Sequence, residues 1–500
     1  MQRHSGWKDD YRMVRGLSDP LPARTPTPGD ARRGDEAPQG TPRPSLLAVA
    51  PRPQVRGPFL FAGDHKLVVK AVTYGTFAAG EDGELFPPQA TVRRDLDRIR
   101  EAGANAIRTY TPPPTFVLDE ARRAGLRVLV GIFWEARNCN LDEPATRREA
   151  ERAVREAVRR CAAHRDVVLA YVIANEVPPL VARFHGWRTI RRLVHRLYQI
   201  AKEEDPGGLV TYANYPSTEF LELEFLDFQT FNVYLRDPAA MGAYLSRALL
   251  LAKGKPLLLG EIGDDSIRRG EQEQAALLDW TIPLALDKGA CGVCVFAWTD
   301  DWTVGGHAVE DWAFGLVDRN RKPKPALEVV RRRFRERPRE RAAAWPRVSV
   351  VVCNHNGAET LEETLVSLEE LDYPDYEILL VEDGSTDGSR AIAERHRGRI
   401  RIIAQENRGL SVARNLGAEA ATGSIVAYID SDAYADRGWL HHLVCALQSG
   451  GYSAVGGPNL TPESDGLTAQ LVALCPGNPT YVLRDNVRAE HVAGVNMAFR

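Results

Sequence analysis

No apolar run in the 500 residues reaches the roughly 18 positions that a helix needs to cross a bilayer. The N-terminus also lacks a long apolar stretch for export, since Leu46 to Ala50 is too short and lies too deep. Cysteine is scarce: seven residues, odd in number and scattered, fit reduced thiols rather than a disulfide framework. Neither sign of charge dominates. With 64 Lys and Arg against 67 Asp and Glu, the net charge is −3, which excludes a nucleic-acid binder held by bulk positive charge. What is present is ordinary globular material, 44% hydrophobic and 26% charged, in a chain long enough for two large domains or about three average ones.

Residues 1–57 are rich in Pro and Arg and show neither helical nor strand period, so a disordered leader is expected. From residue 58 short β-rich runs alternate with amphipathic helical stretches. The candidate strands are 67–72, 105–110, 127–133, 168–174, 209–213, 227–231, 256–260 and 292–298. Eight β/α units over 58–335 have the size and count of a (β/α)8 TIM barrel. A charged stretch with two prolines, 336–347, is the expected linker. A second α/β rhythm runs over 348–500, with strands at 348–353, 377–381, 401–404 and 424–429, and predicts an open, doubly wound, Rossmann-like sheet. Cys291 and Cys294, a lone C-x-x-C on an expected strand, read as small buried residues.

Function in a barrel lies at the carboxyl ends of its strands. Glu176 ends strand four after Asn175, and Glu261 ends strand seven. A single glutamate there could merely begin a solvated loop, but two across one mouth suit retaining glycoside hydrolysis, which needs a nucleophile and an acid/base. With Asn175-Glu176, Glu261, the 103–108 segment, Phe231-Asn232-Val233-Tyr234, Trp298 and the 312–318 segment, the first domain resembles the retaining two-glutamate glycoside hydrolases. The resemblance implies Glu176 as acid/base and Glu261 as nucleophile, with Arg108 and Tyr234 orienting the nucleophile and keeping it charged. It further implies Asn175 at the sugar 2-hydroxyl and Trp298 as an apolar platform; Trp134, Asp300, Asp301 and Trp302 fall on strand-end loops beside them. A non-catalytic carbohydrate-binding barrel is the alternative.

In the second domain, Glu382-Asp383-Gly384-Ser385 ends one strand and Asp430-Ser431-Asp432 another. Two acids at i and i+2 after a buried strand offer hard oxygens to a divalent cation, which can bridge a diphosphate. Together with Val348–Val352, the 407–415 segment and the 494–500 segment, these motifs resemble a family-2 glycosyltransferase of the GT-A fold. The resemblance implies a nucleoside-diphosphate sugar as donor, a glycan or other hydroxyl acceptor, and Mg2+ or Mn2+ on Asp430 and Asp432. Asp383 is placed at the base or ribose, Asp430 also near the ribose, Arg414 on the nucleotide-sugar side, and Asn496 in the sugar or acceptor cleft. Two departures stand out: Glu382 replaces the commoner Asp, and Asn354-His355-Asn356 replaces a Thr-Tyr-Asn start. The acidic motif that supplies an inverting enzyme's general base is expected beyond Arg500, so the domain is expected to be incomplete at its C-terminus. The expectation is a cytoplasmic protein, with any membrane association arising through its acceptor or through a further C-terminal part. An inactive transferase is the alternative in that case.

Overall fold

The computed structural model describes residues 51–500 apart from 64, 81–82, 133, 135–139, 337–344, 451, 458, 460, 462–465 and 474–491. Eight parallel strands close into a barrel, in chain order Val69–Thr73, Ala106–Arg108, Arg127–Gly131, Val168–Asn175, Val210–Asn214, Gln229–Asn232, Leu257–Ile262 and Gly292–Val295. They are referred to below as barrel strands 1 to 8. These strands are covered on both faces, which is why they read as continuous apolar runs rather than alternating ones; seven of the eight residues of strand 4 are buried.

Helices on the outside present apolar faces to the strands. In Pro144–Arg160 the buried positions Ala150, Val154, Ala157 and Val158 recur at helical spacing, while the arginines face water. The expectation of eight β/α units fails at one crossover. Between strands 5 and 6 the chain forms only the 3-10 turn Pro216–Thr218, because the short connection leaves no room for a helix and two loops. The expected leader also ends earlier than residue 57. Pro53–Arg56 pairs with Phe59–Ala62, and that strand with His65–Lys66, in an antiparallel sheet. Its Leu60 packs with Val69, Leu169, Phe228 and Leu258 near the strand starts, so this sheet seals the N-terminal end of the barrel. Residues 1–50 of the leader, and 337–344 of the linker, lie outside the described residues. Cys291 and Cys294 are free and buried, and both join the barrel interior. The strand begins only at Gly292, so strand alternation does not extend back to Cys291.

The second domain is a six-stranded sheet in the order Arg401–Gln405, Tyr376–Asp383, Val348–Asn354, Ile425–Asp430, Asn496–Phe499, Ala454–Gly456. The first four are mutually parallel, with the helices Leu361–Glu369, Ser389–Arg395 and Leu410–Ala420 as crossovers. Asn496–Phe499 runs antiparallel to both of its neighbours. Register aligns Asn354 with Glu382, and Cys353 with Asp430, so the motif residues share one edge of the sheet.

Candidate functional site

Glu261 lies near the end of barrel strand 7, beside Asn232 of strand 6 in the register. Three donors face its carboxylate. The Tyr110 hydroxyl donates to Oε1 at 2.6 Å, the Tyr234 hydroxyl to Oε2 at 2.7 Å, and Arg108 Nη1 lies 3.2 Å from Oε1. Burial, and then the Glu261 charge, push both tyrosine hydroxyls well above the usual phenol range, so they remain donors. Tyr234 is 42% exposed as a residue, while its hydroxyl reaches Glu261. Arg108 is fully buried; burial opposes its charge, but Tyr110 and Glu261 outweigh it and the pKa rises. The residue before Glu261 has to be small. A Cβ on Gly260 would meet Asn232 Oδ1 at 2.6 Å and Arg108 Nη1 at 2.9 Å.

The second carboxylate joins the same network from strand 4. Asn232 Nδ2 donates to Glu176 Oε1 at 2.7 Å and to Asn175 Oδ1 at 3.2 Å. Arg108 Nη2 donates to Asn175 Oδ1 at 2.6 Å, and its Nη1 donates to Asn232 Oδ1 at 3.0 Å. Glu176 has a φ of +46°, a left-handed backbone that non-glycine residues seldom adopt. Held there, it turns out of the strand at the barrel mouth. A chain of direct contacts therefore runs Glu261–Arg108–Asn232–Glu176. Asn232 is a link of that chain and Tyr110 braces its Glu261 end, although the motifs did not assign them roles. Tyr110 stands two residues after Arg108, the spacing that puts both on one face of an extended segment.

Aromatic rings line the mouth. Phe296 stacks on Trp312 with centroids 5.4 Å apart, and meets Trp302 at 4.8 Å and Phe314 at 5.4 Å. Trp298, expected as the platform, is instead fully buried in the shell between barrel and helices, with the Arg98 guanidinium over its ring at 5.3 Å. Strand 8 ends at Val295, and Phe296 takes the inward position. Of the other loop residues, Trp302 joins the aromatic cluster, whereas Trp134 is buried and donates to the Ile173 carbonyl at 2.9 Å. Asp300 pairs with Lys324 at 2.6 Å and Asp301 with Arg321 at 3.0 Å, which makes both structural.

In the second domain, Asp383 is buried at its strand end. Its Oδ1 accepts from Gln405 Nε2 at 2.6 Å and the Arg408 amide at 2.9 Å, and its Oδ2 accepts from the Gly409 amide at 2.9 Å. Burial works against the charge, but these donors outweigh it and hold the carboxyl below its ordinary range. Asp383 thus braces the entry to the helix Leu410–Ala420, with one acceptor position left on Oδ2. His355 Nδ1 donates to the Asp383 carbonyl at 2.9 Å, so Nε2 is the acceptor for Asn356 and Asn407 amides at 3.2 and 3.1 Å. Glu382 accepts from Asn354 at 2.9 Å and from the Ser385 amide at 2.8 Å.

Arg414 donates to Asp430 Oδ1 at 2.9 Å. Gly494 closes over it, and a Cβ there would lie 2.7 Å from the guanidinium. Asn496 accepts at Oδ1 from Trp439 Nε1 at 2.8 Å. Asp430 is half-buried and Asp432 exposed. Among the described residues no group of three His, Cys, Asp or Glu side chains is placed to hold a metal. Two carboxylates alone would leave most of a Mg2+ or Mn2+ shell to be filled by substrate phosphates and water.

Among curated proteins, the uncharacterized glycosyltransferase EpsJ of Bacillus subtilis is 38% identical over 114 residues, covering 22% of this chain and 33% of EpsJ. The cholesterol galactosyltransferase of Borreliella burgdorferi is 42% identical over 89 residues, 17% and 25% of the two chains. Glycosyltransferase AglE of Haloferax volcanii is 34% identical over 118 residues, 22% and 39%. The chain thus spans between a quarter and two fifths of the length of these relatives. Among solved structures, a GH2 beta-galacturonidase from Eisenbergiella tayi has a TM-score of 0.48 at 21% identity, over 57% of this chain and 54% of its own. A b-glucuronidase from Ruminococcus gnavus has a TM-score of 0.49 at 17% identity, over 57% and 52%. Residues 349–497 match Glycosyl transferase family 2, and this chain therefore carries a domain of that family behind an eight-stranded parallel barrel.

Proposed function

We propose that the second domain transfers a sugar from a nucleoside diphosphate to an acceptor hydroxyl. The observation that carries this reading is the alignment of Asn354, Glu382, Asp383 and Asp430 at the carboxyl ends of three adjacent parallel strands, where open α/β sheets bind ligands. In the reaction the acceptor oxygen bonds to the anomeric carbon, the bond from that carbon to the diphosphate oxygen breaks, and the acceptor proton passes to a base. Asp430 and Asp432 would hold Mg2+ or Mn2+, which supplies charge neutralisation for the diphosphate. Arg414, fixed by Asp430 and shielded by Gly494, presents positive charge to the same side. Asp383 and His355 shape the loop on which the nucleotide rests.

A nucleotide-release assay with a panel of UDP- and GDP-sugars, with and without Mn2+, tests the reading. Calorimetry with UDP and GDP separates binding from turnover. Asp432→Ala is expected to abolish metal-dependent nucleotide binding while the chain stays folded; binding unchanged in that variant refutes the metal assignment.

A specific observation supports a second activity in the barrel. Three donors converge on Glu261, as suits a carboxylate that must act as a charged nucleophile, and Glu176 joins the same network through Asn232. We infer a retaining glycosidase or transglycosidase, with Glu176 as acid/base. Covalent labelling of Glu261 by activated fluoro-glycosides, read by mass spectrometry, tests it. Labelling elsewhere, or none across a panel of sugars, leaves the barrel as a binding module.

A further inference from the structure

Between Glu176 and Glu203 the chain carries Arg183, Arg188, Arg191, Arg192, Arg196 and Lys202 but no aspartate or glutamate. The segment folds as the short helix Pro179–His185 and the longer helix Trp187–Glu204. The long helix is tied down conventionally, with Ile190, Leu193, Val194 and Leu197 buried. Arg191 pairs with Glu224 at 3.1 Å, Arg196 with Glu203 at 3.1 Å and Lys202 with Asp227 at 2.7 Å. The short helix differs, for Ala182 is its one buried residue. Leu180 and Phe184 expose 76% and 80% of their surface and share one helical face at i, i+4. The helix contacts the Pro216–Thr218 turn that follows strand 5, so it lies on the mouth side of the barrel.

Arg183 stands on the same short helix, and Arg188 and Arg192 stand in the first two turns of the long helix that contacts it, all three exposed. Among the described residues none of the three forms an ion pair: Arg192 donates to Thr189 Oγ1 at 3.4 Å, and Arg188 lies over the Trp187 ring at 4.7 Å. Single exposed apolar residues are ordinary, but two on one turn, with three exposed guanidinium groups on that helix and the start of the next, make an amphipathic element. The chain as a whole has a net charge of −3, so the positive run is local to this segment; among the ion pairs of the described residues, the acidic group nearest the short helix is the exposed Asp142 beside His185.

We propose that this face docks the protein on an anionic lipid bilayer. Leu180 and Phe184 enter the interfacial layer, and Arg183, Arg188 and Arg192 meet the phosphate groups. Charge complementarity selects the anionic surface, and the protruding apolar pair selects lipid over a polar polymer. Leu180 offers a saccharide no hydrogen bond, and the Phe184 ring already packs edge-on against His185 at 4.8 Å. Docking in this way turns the Glu176–Glu261 mouth toward the membrane plane.

Co-sedimentation of the full chain with phosphatidylcholine vesicles, with and without a third of phosphatidylglycerol, tests the proposal. Binding is expected only with phosphatidylglycerol and should weaken in high salt, as the screening length falls from about 10 Å at 0.1 M to about 3 Å at 1 M. Arg183→Gln/Arg188→Gln/Arg192→Gln should lower partitioning about a hundredfold, at roughly fivefold per arginine, the equivalent of about 1 kcal/mol each. Leu180→Ser/Phe184→Ser should lower it at least about tenfold, on the scale of losing two buried apolar side chains, without changing the salt dependence. The Pro/Arg-rich leader is present in every variant and cannot account for these differences, and circular dichroism checks that the fold is kept. Partitioning that is equal for both vesicle types, or unchanged in both variants, overturns the proposal. So does binding to heparin with none to vesicles, which would assign the face to an anionic glycan.

Discussion

Asp383→Asn isolates a single carboxylate on which the 405–409 loop depends. The wild-type group accepts from Gln405, Arg408 and Gly409, all within 2.9 Å. Asparagine keeps one acceptor oxygen, which can serve Gln405 and Arg408, but turns an NH2 group toward the Gly409 amide. One charge-assisted bond is lost, worth about 1.5–3 kcal/mol, and the two that remain become neutral and weaker. A total cost of roughly 2–4 kcal/mol follows, or about 5–12 °C in the melting of a domain of this size. The pH dependence has a definite sign. Because the folded carboxyl is held below its ordinary value, its contribution is complete above the unfolded pKa of about 3.9 and disappears as pH falls through the folded value. Asparagine does not titrate. The gap between wild type and variant should therefore be widest at neutral pH and close below about pH 4. Calorimetry at pH 7 and below about pH 4 gives the gap, and hydrogen exchange of the helix Leu410–Ala420 locates it. Equal melting at pH 7, or a gap that persists undiminished in acid, would refute the reasoning.

Four further outcomes are expected. Tyr110→Phe and Tyr234→Phe each remove one hydrogen bond to a charged carboxylate, so each should slow Glu261 labelling roughly 10- to 150-fold, read as the rate of fluoro-glycoside incorporation. Phe296→Ala should weaken glycoside binding to the barrel while Trp298→Phe leaves the inhibition constant unchanged, since the Phe296 ring packs on Tyr110 and Tyr234 beside Glu261 whereas Trp298 lies in the outer shell; the reverse ranking would restore Trp298 as the platform. Lys324→Met strands the buried Asp300, whose carboxyl burial already pushes up, and should cost the barrel about 3–5 kcal/mol in denaturant unfolding. Gly494→Ala should displace Arg414 and lower nucleotide affinity about tenfold by calorimetry, an overlap cost of roughly 1–3 kcal/mol.

Both folds were legible because strands buried on two faces leave unbroken apolar runs, of which Val168–Asn175 is the clearest. The glutamates could be found because each follows such a run. Harder to see was anything that depends on where a strand stops. Strand 8 ends at Val295 rather than at 298, which moves Trp298 into the outer shell and leaves Phe296 in the aromatic cluster with Tyr110 and Trp302. Pro53–Arg56 was hidden by composition: its neighbours are Pro- and Arg-rich, and its pairing is with residues outside the leader. Asn232 and Tyr110 gave little signal, since an amide or a phenol acquires meaning only from the carboxylate it meets. Asp383 shows the converse. Its motif suggests a ligand contact, yet the same carboxylate chemistry serves local backbone amides that no spacing rule reveals.

Arg108 bears on how the barrel assembles. Its guanidinium belongs to strand 2 but reaches Asn175 on strand 4, Asn232 on strand 6, and Gly260 and Glu261 on strand 7. A nascent chain that has formed only the first four strands holds this cation without its carboxylate. Burying it at that stage is unfavourable by several kcal/mol. The penalty is relieved only when strands 6 and 7 arrive, so closure of the ring and completion of the site are one event. Half-barrels cut from this sequence should remain open and hydrated around Arg108, and the cooperativity of folding is written into the residue that organises the chemistry.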